Sequence, residues 1–416
     1  MISTIHTPQY YMDLEARYGA HNYHPLPVVL SKGKGIYVWD VEGKRYYDFL
    51  SAYSAVNQGH GHPRIVKALK EQAEKLALTS RAFYNDKLGP YEKYITEYFG
   101  YDKVLPMNTG AEGVETAIKL VRKWGYEKKG IPEGKANIIT ARGNFHGRTV
   151  TIISFSTDPE AKGGFGPYTP GFTSIPYNDL NALEEALKAN PDTVAFLVEP
   201  IQGEAGVNVP DDGYLAGAKK LCEQYGCLLI ADEIQTGIAR TGKLLASYYD
   251  NVRPDVLILG KALSGGVYPI SAVLADDDVI LSIKPGQHGS TFGGNPVAAA
   301  VAVEALQVVK DEKLAENAFK TGQIFRETLK KKTAGNPLVK QIRGKGLLNA
   351  MVINDSPESQ TAWNICLKLA DKGLLAKPTH GNIIRFAPPL VITEDEILDA
   401  VDIIAETLNT YDQTHP

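Results

Sequence analysis

Three short runs carry side chains fit for one piece of chemistry. The first is 257–266, Leu-Ile-Leu-Gly-Lys-Ala-Leu-Ser-Gly-Gly. Residues 256–259 read as a buried strand, being short, apolar and rich in branched side chains. Lys261 follows at its end. An ammonium is costly to desolvate there, so its pKa tends to fall and its amine becomes free to attack a carbonyl and form a Schiff base. A lysine that reaches for water where its strand stops fits the same residues. The two readings separate on whether the chain supplies a partner for the amine.

The second run is 108–112, Asn-Thr-Gly-Ala-Glu, a turn that leaves a strand and opens a helix. Small residues let backbone N–H groups approach an anion, and a helix N-terminus favours negative charge. A phosphate cradle and an ordinary tight turn both fit. It is neither GxGxxG nor GxxxxGK[ST], so neither dinucleotide nor P-loop binding is indicated. In the third run, 228–237, an apolar strand ends in Asp232 and Glu233. α/β proteins place ligands at that sheet edge. A metal held there in the manner of a nucleotide hydrolase needs a P-loop, which is missing. A carboxylate can instead keep a ring nitrogen protonated, so that the ring draws electrons. Together, the helix for a phosphate, Asp232 for a ring nitrogen and Lys261 for an aldehyde match the needs of pyridoxal 5'-phosphate.

The elements that must position these groups read as α/β. The pattern predicts a helix over 12–20, a hairpin over 36–40 and 45–49 turning at Glu42 and Gly43, and a site-lining loop over 51–63. Helices follow over 63–76, 87–99 and 113–124, with apolar Val114, Ala117, Ile118 and Val121 on one face. Strands at 104–107, 136–140, 194–198, 228–231, 256–259 and 270–274 alternate with helices at 180–189 and 214–225. That argues a largely parallel sheet covered by helices. Helices over 295–332 lead to a small α+β unit, with strands at 339–343, 347–353 and 383–386 and helices at 360–372 and 394–408.

Composition narrows the class. The 416 residues are 44% hydrophobic and 22% charged, with a net charge of -4 and no basic or acidic tail. Nothing points to nucleic acid or an anionic membrane. No apolar run approaches the ~20 residues of a membrane helix, and residues 1–8 resemble neither a signal peptide nor a transit sequence. Cys222, Cys227 and Cys366 form no CxxC and leave one over, which fits buried thiols in a reducing compartment. The expected location is cytoplasmic, or the mitochondrial matrix if a leader was removed. His60 and His62 invite a metal, but no third ligand stands near them and Pro63 marks a helix entry; no metal site is expected.

A resemblance extends this. The runs 108–112, 144–149 (Asn-Phe-His-Gly-Arg-Thr), 199–204 (Glu-Pro-Ile-Gln-Gly-Glu), 232–235, 260–266 and 289–295 are similar to those of the subgroup III (ω-) aminotransferases, across nearly the whole chain. Within that family, 18–27, 51–58, 377–380 and 385–389 most resemble the members acting on ornithine. The resemblance implies a homodimer of fold type I, with an N-terminal segment (1–53), a large cofactor-binding domain with a mostly parallel seven-stranded sheet (54–303) and a small α+β C-terminal domain (304–416). It implies that Gly110 and Ala111 bind phosphate through the backbone, with Ser290 and Thr291 reaching in from the other subunit. Phe145 would stack on one ring face, Ile234 would cover the other, and Gln235 would bond the ring hydroxyl. Tyr23 and Arg148 would hold the ornithine α-carboxylate, and Tyr53 would shape that pocket. Arg385 would take the α-carboxylate of glutamate or 2-oxoglutarate, and Glu204 would cover it in the first half-reaction. Glu199 would stand near the ring. His146, beside Phe145, is a local departure.

The implied reaction carries the δ-amino group of L-ornithine to 2-oxoglutarate by a ping-pong route. Its products are glutamate and glutamate 5-semialdehyde, which cyclises to pyrroline-5-carboxylate. The rival donors are acetylornithine, 4-aminobutyrate and lysine, against which the loop 53–58 argues. A cofactor-binding partner protein that has lost catalysis is the other alternative, against which Lys261, Asp232 and Arg385 argue.

Overall fold

The computed structural model describes residues 7–411. Residues 1–6, part of the segment read as neither a signal peptide nor a transit sequence, lie outside them. The central sheet has seven strands, in the spatial order Lys103–Met107, Ser271–Ala275, Val256–Leu259, Leu228–Asp232, Thr193–Val198, Asn137–Ala141 and Phe172–Ile175. The last five run parallel to one another. Ser271–Ala275 runs antiparallel to both its neighbours. The seven-stranded, mostly parallel sheet expected from the sequence is present. Phe172–Ile175, an edge strand of four residues, is an addition.

The inner strands are buried at every position, because helices cover both sheet faces and leave no side for polar alternation. Successive side chains still point to opposite faces. Val256 and Ile258 join Val114, Ala117, Ile118 and Val121 of the helix Gly110–Trp124. Leu257 and Leu259 join Val301, Ala302 and Leu306 of the helix Pro296–Asp311. Each such burial stabilises by roughly 1.5–3 kcal/mol, so the strand that carries Lys261 is fixed from both sides.

A second sheet of four antiparallel strands, Val339–Lys345, Leu348–Ile353, Ile383–Phe386 and Lys377–Thr379, lies in the C-terminal part. The helices Thr361–Asp371 and Glu394–Asn409 share its core through Ile365, Leu369, Ile397 and Ile404. A third sheet joins Leu30–Lys34, Tyr37–Asp40 and Arg45–Asp48 to Leu374–Leu375, which pairs parallel with Arg45–Asp48. The N-terminal hairpin and the C-terminal part are thus stitched together. Leu30–Lys34 is exposed throughout, so it carries no alternation to read.

The hairpin runs into the loop expected to line the site. There Ser51, Ala52, Tyr53 and Ser54 adopt φ of 50°, 46°, 58° and 73°, a full left-handed turn without a glycine. Each such residue costs roughly 1–2 kcal/mol. No helix of the described residues is long and apolar enough to cross a membrane.

Candidate active site

The carboxyl ends of Lys103–Met107, Leu228–Asp232 and Val256–Leu259 open on one edge of the large sheet, where α/β folds place ligands. The turn after Met107 is built for an anion. Glu112 accepts the N–H groups of Asn108 and Thr109 at 2.8 and 2.9 Å, and Thr109 Oγ1 caps Glu112 N at 3.2 Å. Ser271 Oγ donates to Thr109 O at 2.7 Å and pins the turn to the neighbouring strand. Gly110 and Ala111 begin the helix, and their N–H groups donate to no acceptor among the described residues. A Cβ on Gly110 would stand 3.0 Å from Ile234 Cδ1, so a larger residue there would press on the Ile234 side chain.

Lys261 leaves its strand through Gly260 with φ of 44°, a left-handed position that a lysine rarely takes. Burial pushes its ammonium below the usual lysine range, and the carboxylates of Glu204 and Asp232 hold it up in part. With Gly110, Ala111, Phe145, Asp232, Ile234 and Gln235 it lines one cleft.

Asp232 is 4% exposed. Its Oδ2 lies 2.6 Å from His146 Nδ1, and its Oδ1 accepts Ile234 N–H at 3.1 Å. His146 Nε2 is buried without a hydrogen-bond partner. Glu233 faces the other way and has a structural task. It accepts Thr236 Oγ1 and the N–H groups of Ala246 and Ser247 at 2.5, 3.0 and 2.8 Å, capping a 3₁₀ turn. Adjacent carboxylates at a strand end therefore serve two sides. Gln235 Nε2 donates to the Tyr53 carbonyl at 3.4 Å. These residues fit pyridoxal phosphate. Two unpaired helix N-terminal N–H groups suit the phosphate, a buried carboxylate suits a protonated ring nitrogen, and a desolvated amine suits the aldehyde. Phe145 and Ile234 offer apolar faces.

Glu199 accepts Phe145 N–H at 3.0 Å. Burial pushes its carboxyl up to about 8; Asp232 adds to this and His146 opposes it. The folded state therefore holds a proton that the unfolded state releases near the ordinary glutamate value of 4.5. Glu199's contribution to stability is full below that value and is lost as pH rises toward 8. Glu199→Gln keeps an oxygen for Phe145 N–H and never ionises. Its denaturant midpoint is expected to gain on the parent's between pH 5 and pH 8, and a pH-independent difference would contradict this.

Beyond Glu204, Arg385 is 4% exposed on the strand Ile383–Phe386. Its Nη1 and Nη2 reach Glu204 Oε2 and Oε1 at 2.6 and 3.4 Å, and its Nε is buried without a partner. The Tyr53 ring centroid lies 5.1 Å from Arg385 Cζ. Thr379 Oγ1 donates to Glu204 O at 3.0 Å, and Arg343 Nη2 to Gly206 O at 2.7 Å, so the Glu204 loop is held from the C-terminal sheet.

The structure thus gathers Lys261, Asp232, Gly110, Ala111, Phe145, Ile234, Gln235, Glu199 and Glu204 around one cleft, with Arg385 and Tyr53 at its end. Arg148 is exposed in an adjoining outer cleft, its Cζ 5.6 Å from the Phe145 ring, and Tyr23 is 72% exposed. Ser290 Oγ accepts Asn108 Nδ2 of its own chain at 2.8 Å, and Thr291 is exposed. His60 and His62 face different carboxylates, Asp48 at 2.7 Å and Glu312 at 2.9 Å. Sequence reasoning missed His146 as the partner of Asp232 and Thr379 as a support of Glu204. Nothing in the spacing of residues 86 or 175 positions apart gives such pairs away.

The family model Aminotransferase class-III matches residues 18–408. The chain is 64% identical over 394 residues to the mitochondrial ornithine aminotransferase of Drosophila ananassae, covering 95% of this chain and 90% of that protein. A solved acetylornithine aminotransferase from Elizabethkingia anophelis is 60% identical, with a TM-score of 0.90 over 98% of this chain and all of that one. The ornithine aminotransferase of Toxoplasma gondii, solved with partial occupancy of the cofactor at its active site, is 52% identical. Its TM-score is 0.95 over 98% of this chain and 95% of that one.

Proposed function

This chain belongs to the class-III aminotransferase family, and we infer that it carries the δ-amino group of L-ornithine to 2-oxoglutarate, giving glutamate 5-semialdehyde and glutamate. It is a pyridoxal-phosphate enzyme. When bound, the cofactor supplies an aldehyde for amines to condense with and a protonated ring that draws electrons from the substrate carbon.

The chain's own residues do the rest. Gly110 and Ala111 N–H groups would hold the phosphate, Phe145 and Ile234 would cover the ring faces, and Gln235 would meet the ring hydroxyl. Asp232, its carboxylate fixed by His146, would keep the ring nitrogen protonated. Lys261 would be the base that takes a proton from the substrate δ-carbon and the acid that gives one back. Tyr23 and Arg148 at the mouth hold the α-carboxylate of ornithine, with Tyr53 shaping the pocket. In the homodimer, Ser290 and Thr291 of one subunit close the phosphate site of the other. Phe83, Tyr84 and Phe292, exposed by 70%, 106% and 48%, support such a covered face. The division into 1–53, 54–303 and 304–416 fits a large domain and a small one whose Arg385 closes the site. The three free, buried cysteines suit a reducing compartment, the cytoplasm or the mitochondrial matrix.

One observation carries the choice of donor: Glu204 covers Arg385. A bare arginine beside the cofactor would draw the α-carboxylate of ornithine and present the wrong amine. 2-Oxoglutarate must displace Glu204, which lowers its apparent affinity. Glu204→Gln is therefore expected to lower the KM for 2-oxoglutarate by about tenfold and to raise the share of ornithine that reacts at its α-amine. A raised KM would contradict this. The ping-pong reading has its own check. Ornithine alone, without 2-oxoglutarate, should change the visible band of the holoenzyme, and an unchanged band would count against it.

A further inference from the structure

The left-handed turn 51–54 sets three backbone bonds, Tyr53 N–H to Leu50 O at 2.9 Å and Ala55 and Val56 N–H to Ser51 O at 2.9 and 3.3 Å, against four strained residues. Its four residues all have positive φ, none is glycine, and Ser51 Oγ and Ser54 Oγ are buried without partners. Such a turn persists only where its surroundings over-determine it. Its outer end is tied by Asn57. Asn57 Oδ1 accepts Arg240 Nε and Nη2 at 3.1 and 2.5 Å, and Asn57 Nδ2 donates to Ile238 O at 2.8 Å. Its inner end is anchored at Phe49, whose N–H donates to Leu375 O at 2.9 Å and whose carbonyl accepts Ala387 N–H at 2.8 Å, and is then tied by one side chain. Asp48 Oδ1 accepts the N–H groups of Leu50 and Ser51 at 2.9 and 2.8 Å, and Asp48 Oδ2 is fixed by His60 Nε2 at 2.7 Å. Asp48 lines none of the clefts around Lys261. What the turn delivers is Tyr53, its ring against Arg385 and its carbonyl on Gln235.

We propose that Asp48 is a positioning residue for substrate choice: its carboxylate clamps the left-handed turn and so keeps Tyr53 against the Arg385–Glu204 pair. The proposal rests on the reading that Tyr53 shapes the ornithine pocket. Arg240, wholly buried at the outer end, is bonded also to Leu347 O and Pro388 O. Its loss would disturb far more than the turn, so Asp48 is the end to test.

The test is a double-mutant cycle on the holoenzyme, read as KM and kcat for ornithine. Tyr53→Ala and Asp48→Ala are each expected to raise KM about tenfold with kcat within about threefold, and Asp48→Ala should add nothing in the Tyr53→Ala background. Asp48→Asn keeps an oxygen for the two N–H groups and should stay within about threefold of the parent. Glycine takes positive φ without steric cost, so Asp48→Ala combined with Ala52→Gly should return KM to the parent value. That pair also serves if Asp48→Ala alone does not fold. A folded pair with KM still raised overturns the proposal, as does an Asp48→Ala effect that multiplies with that of Tyr53→Ala. An unchanged KM in Tyr53→Ala removes the pocket reading itself, and the proposal with it.

Discussion

Lys261→Ala is expected to lower the turnover of ornithine by ~10⁴-fold or more. Proton transfer by a positioned side chain is worth roughly 10²–10⁴-fold, and in the proposed scheme this amine would also be the cofactor's attachment. The surroundings leave no substitute. Lys261 is the lysine of the cleft, seated in a left-handed position after Gly260, and its pKa is lowered by burial. The neighbouring strand and both sheet faces are packed, so the fold should survive the change. The visible band of the holoprotein should move as well, since free aldehyde and attached aldehyde absorb differently. Residual turnover within about a hundredfold of the parent would remove Lys261 from the centre of the chemistry.

Asp232→Asn should cost roughly 10²–10³-fold in kcat/KM, the scale of losing one preorganised electrostatic group. The amide has almost the same shape and can still accept from Ile234 N–H, so packing changes little. What vanishes is the buried charge. A neutral amide does not hold a proton on a pyridine nitrogen, and His146 Nδ1, 2.6 Å away, loses its ionic partner. His146 already has an unsatisfied Nε2, so the substitution leaves the imidazole without a charge to orient it. A loss of less than about threefold would mean that the ring works without this carboxylate.

Local patterns revealed the frame of this site. Short apolar runs gave the strands, and Asp232 and Lys261 stood at their ends because a parallel sheet buried on both faces puts charged side chains there rather than along the strands. The turn at Gly110 was legible for the same reason, as a small, polar break between strand and helix. What stayed hidden depends on distance in sequence. His146 meets Asp232 across 86 positions, and Asp48 steers a turn that its neighbours' propensities disfavour. Four non-glycine residues with positive φ cannot be anticipated from their own types. Leu30–Lys34 was missed because an exposed edge strand has no hydrophobic face to betray it. The opposite facing of Asp232 and Glu233 could have been read, since alternation along a strand separates neighbours.

On the proposed reading, substrate choice turns on the far end of the cleft, where Tyr53, Glu204 and Arg385 meet. Acetylornithine differs from ornithine only at the α-nitrogen, where an amide replaces an ammonium and adds bulk. One similar solved structure is an acetylornithine aminotransferase, whereas the Drosophila ananassae relative and the Toxoplasma gondii structure are ornithine aminotransferases. The most direct measurement is therefore kcat/KM for L-ornithine and for N-acetylornithine on the same holoenzyme, with 2-oxoglutarate as acceptor. Ornithine is expected to be preferred by about a hundredfold, the worth of one matched polar group in a closed site. Equal values, or a preference for N-acetylornithine, would contradict ornithine as the donor.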